Sequence, residues 1–80
     1  MQIKTIYYGI FQEKAQKNEE IIETECENVI ELYQELKQKY DFDLNVNEVL
    51  VAINDQYLND LHYKLSNDDL VVFLHPMSGG

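Results

Sequence analysis

Apolar and polar positions change their period along this chain, and each change predicts an element. From Gln2 to Phe11 the residues are largely Ile, Thr, Tyr and Phe, types that suit a pleated surface, and this predicts a first strand. The polar stretch Gln12 to Asn18 reads as a connection, and Ile21 to Glu25 as a second, more exposed strand paired with the first as a hairpin. Apolar residues then recur at Val29, Leu32, Tyr33, Leu36 and Tyr40, the spacing of one helical face, while Glu31, Gln34, Glu35 and Gln38 point elsewhere. Asn28 with Glu31 three residues on is a variant capping box: the Asn side chain accepts from an orphan amide and Glu31 reaches back to the cap. Lys37 and Lys39 fall in the last turn, where the helix dipole favours cations. The stripe reads as core, not as a cofactor surface.

Beyond the helix, Asp41 to Glu48 reads as a loop, and Val49 to Ile53 as a third strand ending at the turn-forming pair Asn54-Asp55. The connection through Leu58, Leu61 and Leu65 has no clear period. Asn67-Asp68-Asp69 makes a turn before a last strand, Leu70 to Leu74, which is closed by Pro76; the proline has no amide donor and holds His75 extended. These elements predict an α+β domain over residues 1–75, with a mixed sheet packed on one main helix, and an extended tail over residues 76–80. There is no repeat and no linker.

The alternation within the strands carries a further expectation. If Ile3, Thr5, Tyr7, Val71 and Phe73 face the helix, then Lys4, Ile6, Tyr8, Val72 and Leu74 face outward. Apolar residues on the outer face of both terminal strands mark a patch for a partner, unless the connection after Ile53 folds over it.

Composition narrows the classes of function. Eighty residues suffice for one small core and exclude two domains, and 45% hydrophobic with 26% charged residues is a globular composition. Six Lys, no Arg and fifteen carboxylates give a net charge of -9, which argues against nucleic acid and favours basic protein partners. The single Cys26 excludes a disulfide framework and a multi-thiolate zinc site; it reads as a free thiol in a reducing compartment or simply as a small hydrophobe. His62 and His75 lack accompanying Cys, so no metal site and no Cys-His nucleophile is indicated. No segment resembles a signal peptide or reaches the roughly 20 apolar residues of a membrane span, and a cytoplasmic location is expected.

The chain closes on His75-Pro76-Met77-Ser78-Gly79-Gly80. Five residues after a strand span at most about 17 Å, enough to thread a buried pocket from a rigid anchor. Glycine lacks Cβ, so such a tail passes a narrow channel and presents the Gly80 carboxylate.

The segment Asp69 to Gly80 resembles the C-terminus of the molybdopterin synthase small subunit family. Ile3 to Gly9 is similar to that family's opening strand, Asn28-Val29-Ile30-Glu31-Leu32 to its helix start, and Val51-Ala52-Ile53-Asn54-Asp55-Gln56-Tyr57 to a central stretch, so the resemblance covers nearly the whole chain. Two departures stand out: Asp68 occupies a position usually held by Gly, and His75 replaces the first of two prolines. The sister family of thiamine-pathway sulfur carriers also ends in Gly-Gly but lacks this lead-in.

The resemblance implies a ubiquitin-like β-grasp fold and a sulfur-carrier subunit of a heterotetrameric synthase. It implies that an ATP-dependent, E1-like adenylating enzyme activates Gly80, that a sulfur donor protein converts it to a thiocarboxylate, and that the large subunit then uses it to build the molybdopterin dithiolene. Gly80 would carry the acyl sulfur, Gly79 would give clearance, and Ser78, Met77 and Pro76 would position the tail. Tyr8, Tyr57 and Leu74 would form the partner-binding patch. The chain itself would bind no cofactor and no metal, with ATP used by the activating partner, and would act as co-substrate rather than enzyme. A thiamine-pathway carrier and a ubiquitin-like protein modifier are the alternatives.

Overall fold

The computed structural model describes residues 1–75. A five-stranded mixed sheet, in the order β2-β1-β5-β3-β4, packs one face against a single long helix. Strand β1 is Gln2–Tyr7, β2 Glu19–Glu23, β3 Leu50–Ile53, β4 Gln56–Tyr57 and β5 Leu70–Leu74; helix α1 is Ile10–Ala15 and α2 Val29–Tyr40. β1 runs antiparallel to β2 and parallel to β5, which in turn runs antiparallel to β3, so the two terminal strands lie side by side. This is the expected α+β architecture.

The α2 stripe is core as expected: Val29, Leu32, Tyr33 and Leu36 are buried, opposite Ile3, Tyr7, Val51, Val71 and Phe73 from the sheet. The Asn28 side chain accepts from the Glu31 N–H at 2.9 Å, which confirms the cap. The Glu31 carboxylate, however, accepts from Glu27 N–H at 2.9 Å rather than from the cap residue, one position further back.

The first strand is shorter than its composition predicts. It stops at Tyr7 because Gly9 takes φ 57, a left-handed conformation open to glycine, and the chain turns into α1. Phe11 and Ala15, four residues apart, are both buried, so within the expected strand end and polar connection the burial period switches from two to that of a helix. The second strand is correspondingly displaced, beginning at Glu19 rather than Ile21, yet pairs with β1 as expected.

The segment Asp41 to Glu48 is more than a loop. Asp41 ends α2 in the left-handed region at φ 60 and directs Phe42 back into the core, where its ring lies 5.0 to 6.1 Å from those of Phe11, Tyr40, Tyr33 and Tyr7. A short 3-10 turn, Val46–Glu48, follows, with Asn45 and Glu48 forming a reciprocal capping box. Asn54 and Asp55 both take positive φ, 49 and 73, the geometry of a two-residue hairpin turn, and so create β4, a strand the pattern did not predict.

Candidate functional site: the outer sheet face and the root of the tail

β5 is the central strand, and its alternation is as expected: Val71 and Phe73 are fully buried against the helix, while Leu70, Val72 and Leu74 are half-buried on the other side. Register fixes what lies beside them. Ile6, Val72, Ala52 and Tyr57 form one row across β1, β5, β3 and β4, and Leu74 pairs with Leu50 in the next. Directly opposed residues share a face. The outer face therefore carries a continuous apolar band, with Tyr57 65% exposed at its far edge.

Tyr8 joins this band at the end where β5 stops. Its N–H donates to Phe73 O at 3.4 Å, and Tyr8, Gly9, Ile10, Leu74 and His75 line a groove of 250 Å³. Tyr8 is 51% exposed and Ile10, which the first-strand reading left in a sheet, adds an apolar residue from α1. The structure thus brings Tyr8 and Leu74 together at the root of the tail and places Tyr57 on the same face at the opposite edge. Gly80, Gly79, Ser78, Met77 and Pro76 lie outside the described residues.

The connection after Ile53 leaves this face open. Ile30 N–H donates to Leu61 O at 3.3 Å, Leu65 N–H to Glu27 O at 2.8 Å, and Lys64 bridges to Asn28, so the segment runs along the start of α2 with Leu65 buried in the core. Its last turn is anchored to the sheet. Asp68 adopts φ 70, the left-handed conformation expected of a residue standing where glycine is usual. Asp69 is buried; its carboxylate accepts from Asn54 Nδ2 at 3.0 Å and from Ser66 N–H at 2.8 Å.

One polar cluster lies away from the apolar band. Glu20 on β2 accepts from Tyr7 Oη at 2.6 Å and Tyr40 Oη at 2.5 Å, with Lys17 Nζ at 3.3 Å and Lys39 Nζ at 3.9 Å. Burial alone would raise the Glu20 carboxyl, but the hydrogen bonds from Tyr40, Tyr7 and Lys17 and the Lys39 charge together hold it below the usual carboxylate range. The Tyr7 phenol is pushed far upward, first by burial and then by its bond to Glu20. Cys26 is half-buried, and burial raises its thiol, the reverse of what an activated nucleophile needs. His62 is exposed and paired only with Asp60 at 3.0 Å, and His75 is exposed. Among the described residues no group of three His, Cys, Asp or Glu side chains could hold a metal ion, and no helix is long and apolar enough to cross a membrane.

Comparison with known proteins places this geometry. The ThiS family pattern matches residues 5–80, so the chain belongs to the ThiS family. No curated protein sequence matches significantly. Solved structures share the β-grasp fold. Small archaeal modifier protein 1 from Haloferax volcanii superposes with a TM-score of 0.79 at 14% identity over 100% of both chains. A Pyrococcus furiosus protein assigned as molybdopterin converting factor, subunit 1, gives 0.78 at 24% identity, over 96% of this chain and 99% of that one. A chain from the complex of subunits 1 and 2 of the Helicobacter pylori molybdopterin-converting factor gives 0.70 at 21% identity over 100% of both.

Proposed function

We propose that this chain is the sulfur-carrier subunit of a molybdopterin synthase. The observation that carries the reading is the band Ile6, Val72, Ala52, Tyr57 with Tyr8 and Leu74: an open apolar face that reaches the end of the central strand, directly before the tail. A partner seated on Tyr8 and Leu74 receives the tail at its own active site, and Tyr57 extends the contact across the sheet. The ThiS match over residues 5–80 supports a carrier of this family, and the residues shared with the small-subunit family favour the molybdopterin synthase role within it.

The chemistry follows from the carboxylate. A carboxylate is a poor acyl donor because it is charged, resonance-stabilised and has no adequate leaving group. In the proposed cycle a Gly80 oxygen attacks the α-phosphorus of ATP on an E1-like partner, pyrophosphate leaves, and the acyl-adenylate now carries AMP as leaving group. A persulfide on the sulfur donor displaces AMP, and a thiol reduces the resulting acyl disulfide to the thiocarboxylate. On the large subunit that sulfur attacks the pterin precursor, and hydrolysis returns the carboxylate. Gly79 has no side chain to obstruct the channel, and Ser78, Met77 and Pro76 set the tail's course. The described part of the chain supplies docking and anchorage, while ATP and catalytic groups belong to the partners. The excess of fifteen carboxylates over six lysines would steer the chain toward basic docking rims.

A second reading, a protein modifier, is favoured by the likeness to small archaeal modifier protein 1. Intact-mass analysis separates the two. A sulfur carrier exchanges one oxygen of Gly80 for sulfur and then delivers it to the pterin precursor in the presence of the large subunit. A modifier instead retains its Gly80 carbonyl in an isopeptide bond to lysine.

A further inference from the structure

The sheet has a second surface of interest, its lateral edge at β2, on the far side of β1 from β5. β2 is an outermost strand with only β1 beside it. Tyr7 N–H donates to Asn18 O at 2.8 Å and Thr24 N–H to Met1 O at 3.0 Å. Glu20 and Ile22, in phase with those pairs, therefore turn their backbone groups toward β1. Glu19, Ile21 and Glu23 turn theirs outward, where no described strand lies beside them. Ile21 is also 68% exposed, on the same face as Lys4 and Leu70.

The charges around this edge select its occupant. Glu19 and Glu23 flank Ile21 on one face, two residues to either side, and Glu25 and Glu27 continue the series. Their present partners, Lys4 Nζ at 3.3 Å from Glu19 and the Met1 ammonium at 3.1 Å from Glu23, form solvent-exposed pairs that cost little to exchange. A second copy of this chain pairing antiparallel about Ile21 would set Glu19 opposite Glu23 twice, and opposed like charges destabilise a ladder. β4, with two residues, is too short to serve as an equivalent edge.

We propose that the β2 edge is a strand-addition site for an extended segment of a partner protein, with an apolar residue opposite Ile21 and Lys or Arg opposite Glu19 and Glu23. Main-chain hydrogen bonds to the outward groups of β2 provide the attachment, and the two carboxylates set the sequence preference. β1 lies between this edge and β5, which carries Leu74, so a segment added to β2 leaves the root of the tail open even though Glu19 and Tyr8 line one groove, and the site does not depend on the sulfur-carrier reading.

The test is an NMR titration of the isotope-labelled full chain with the peptide acetyl-Ser-Lys-Thr-Val-Thr-Lys-Ser-amide. The amides of Glu19, Ile21 and Glu23 should shift, hydrogen exchange at Ile21 N–H should slow, and affinity should fall roughly tenfold on moving to high salt. N-methylation of the valine amide should weaken binding by about tenfold without any change to the protein. The double variant Glu19→Lys, Glu23→Lys should lose this peptide and instead bind the version with Glu in place of Lys. Absence of shifts, shifts centred on Tyr8 and Leu74, equal binding of the N-methylated peptide, or self-association through Ile21 without peptide would each overturn the proposal.

Discussion

The Asn54 side chain grips the start of the central strand at Asp69: its Nδ2 donates to Asp69 Oδ1 at 3.0 Å, while its Oδ1 accepts from Leu70 N–H at 2.9 Å. One residue thus makes the β3–β4 turn, at φ 49, and fixes where β5 begins. Replacing it with alanine removes both bonds, leaves the buried Asp69 carboxylate with one partner fewer, and forces a Cβ-bearing residue without a polar side chain to hold a left-handed conformation. Asn54→Ala should cost about 2 kcal/mol, or roughly 10 °C in midpoint for a chain of this size, by thermal unfolding followed by circular dichroism. Asn54→Gly, which relieves only the backbone part, should fall between the two.

Phe42→Ala should be among the most damaging single substitutions, at about 3–5 kcal/mol in urea unfolding, because the ring is buried among four other aromatic rings. Nothing in the sequence pattern pointed to it. It lies in a stretch, Asp41 to Val46, whose short alternation of Phe42, Leu44 and Val46 is too brief to single out one buried ring, and it reaches the core because Asp41 takes the left-handed conformation that ends α2.

The Glu20 cluster predicts acid sensitivity with a definite sign. A carboxyl held below its unfolded value of 4.5 contributes stability that is complete above that pH and is lost as pH falls through the lower folded value. Glu20→Gln should therefore be less stable than the parent near pH about 7 but lose less of its stability on acidification to about pH 3. Equal losses for the two proteins in urea unfolding would contradict this assignment.

At alkaline pH the phenols act in the opposite sense. Burial, with Glu48 and Asp43 nearby, pushes the Tyr33 phenol up to about 12, above its usual 10.0, while its hydroxyl donates to Leu44 O at 2.7 Å. A raised folded value means stability present below pH 10.0 and lost as pH rises toward about 12. Spectrophotometric titration of Tyr33→Phe should lose a late-ionising phenolate, and its stability should decline less in that window.

Much of the architecture was legible where a single period ran uninterrupted. The α2 stripe, the Asn28 cap and the in-out alternation of β5 follow from residue order alone, and so does the apolar outer face, since Val72 and Leu74 have nowhere else to point once Val71 and Phe73 are buried. What the pattern concealed depended on left-handed backbone at single residues. Gly9 cuts β1 and starts α1, Asp41 returns Phe42 to the core, and Asn54 with Asp55 generates β4. Ile10 entered the site for the same reason: its exposure beside Tyr8 is a consequence of the Gly9 turn. Tyr8, Tyr57 and Leu74 could be placed on one face from alternation and resemblance, but their relative positions, Tyr57 in the row of Val72 and Leu74 in the next beside Leu50, required the register.

For the outer face itself, Tyr8→Asp should weaken binding of the large subunit at least tenfold in calorimetry with little change in thermal midpoint, because half the residue is already in water. Leu74→Asp should weaken it as much, with some loss of stability because its side chain is half-buried.

The central claim is that Gly80 carries the sulfur. The most direct measurement is intact mass of the full chain isolated with its ATP-dependent activating enzyme and a sulfur donor, followed by incubation with the large subunit and pterin precursor. The account predicts one oxygen exchanged for sulfur at Gly80, lost again as the dithiolene forms. A chain that stays a carboxylate when ATP and sulfur are supplied, or that accumulates only as a lysine adduct, would contradict it.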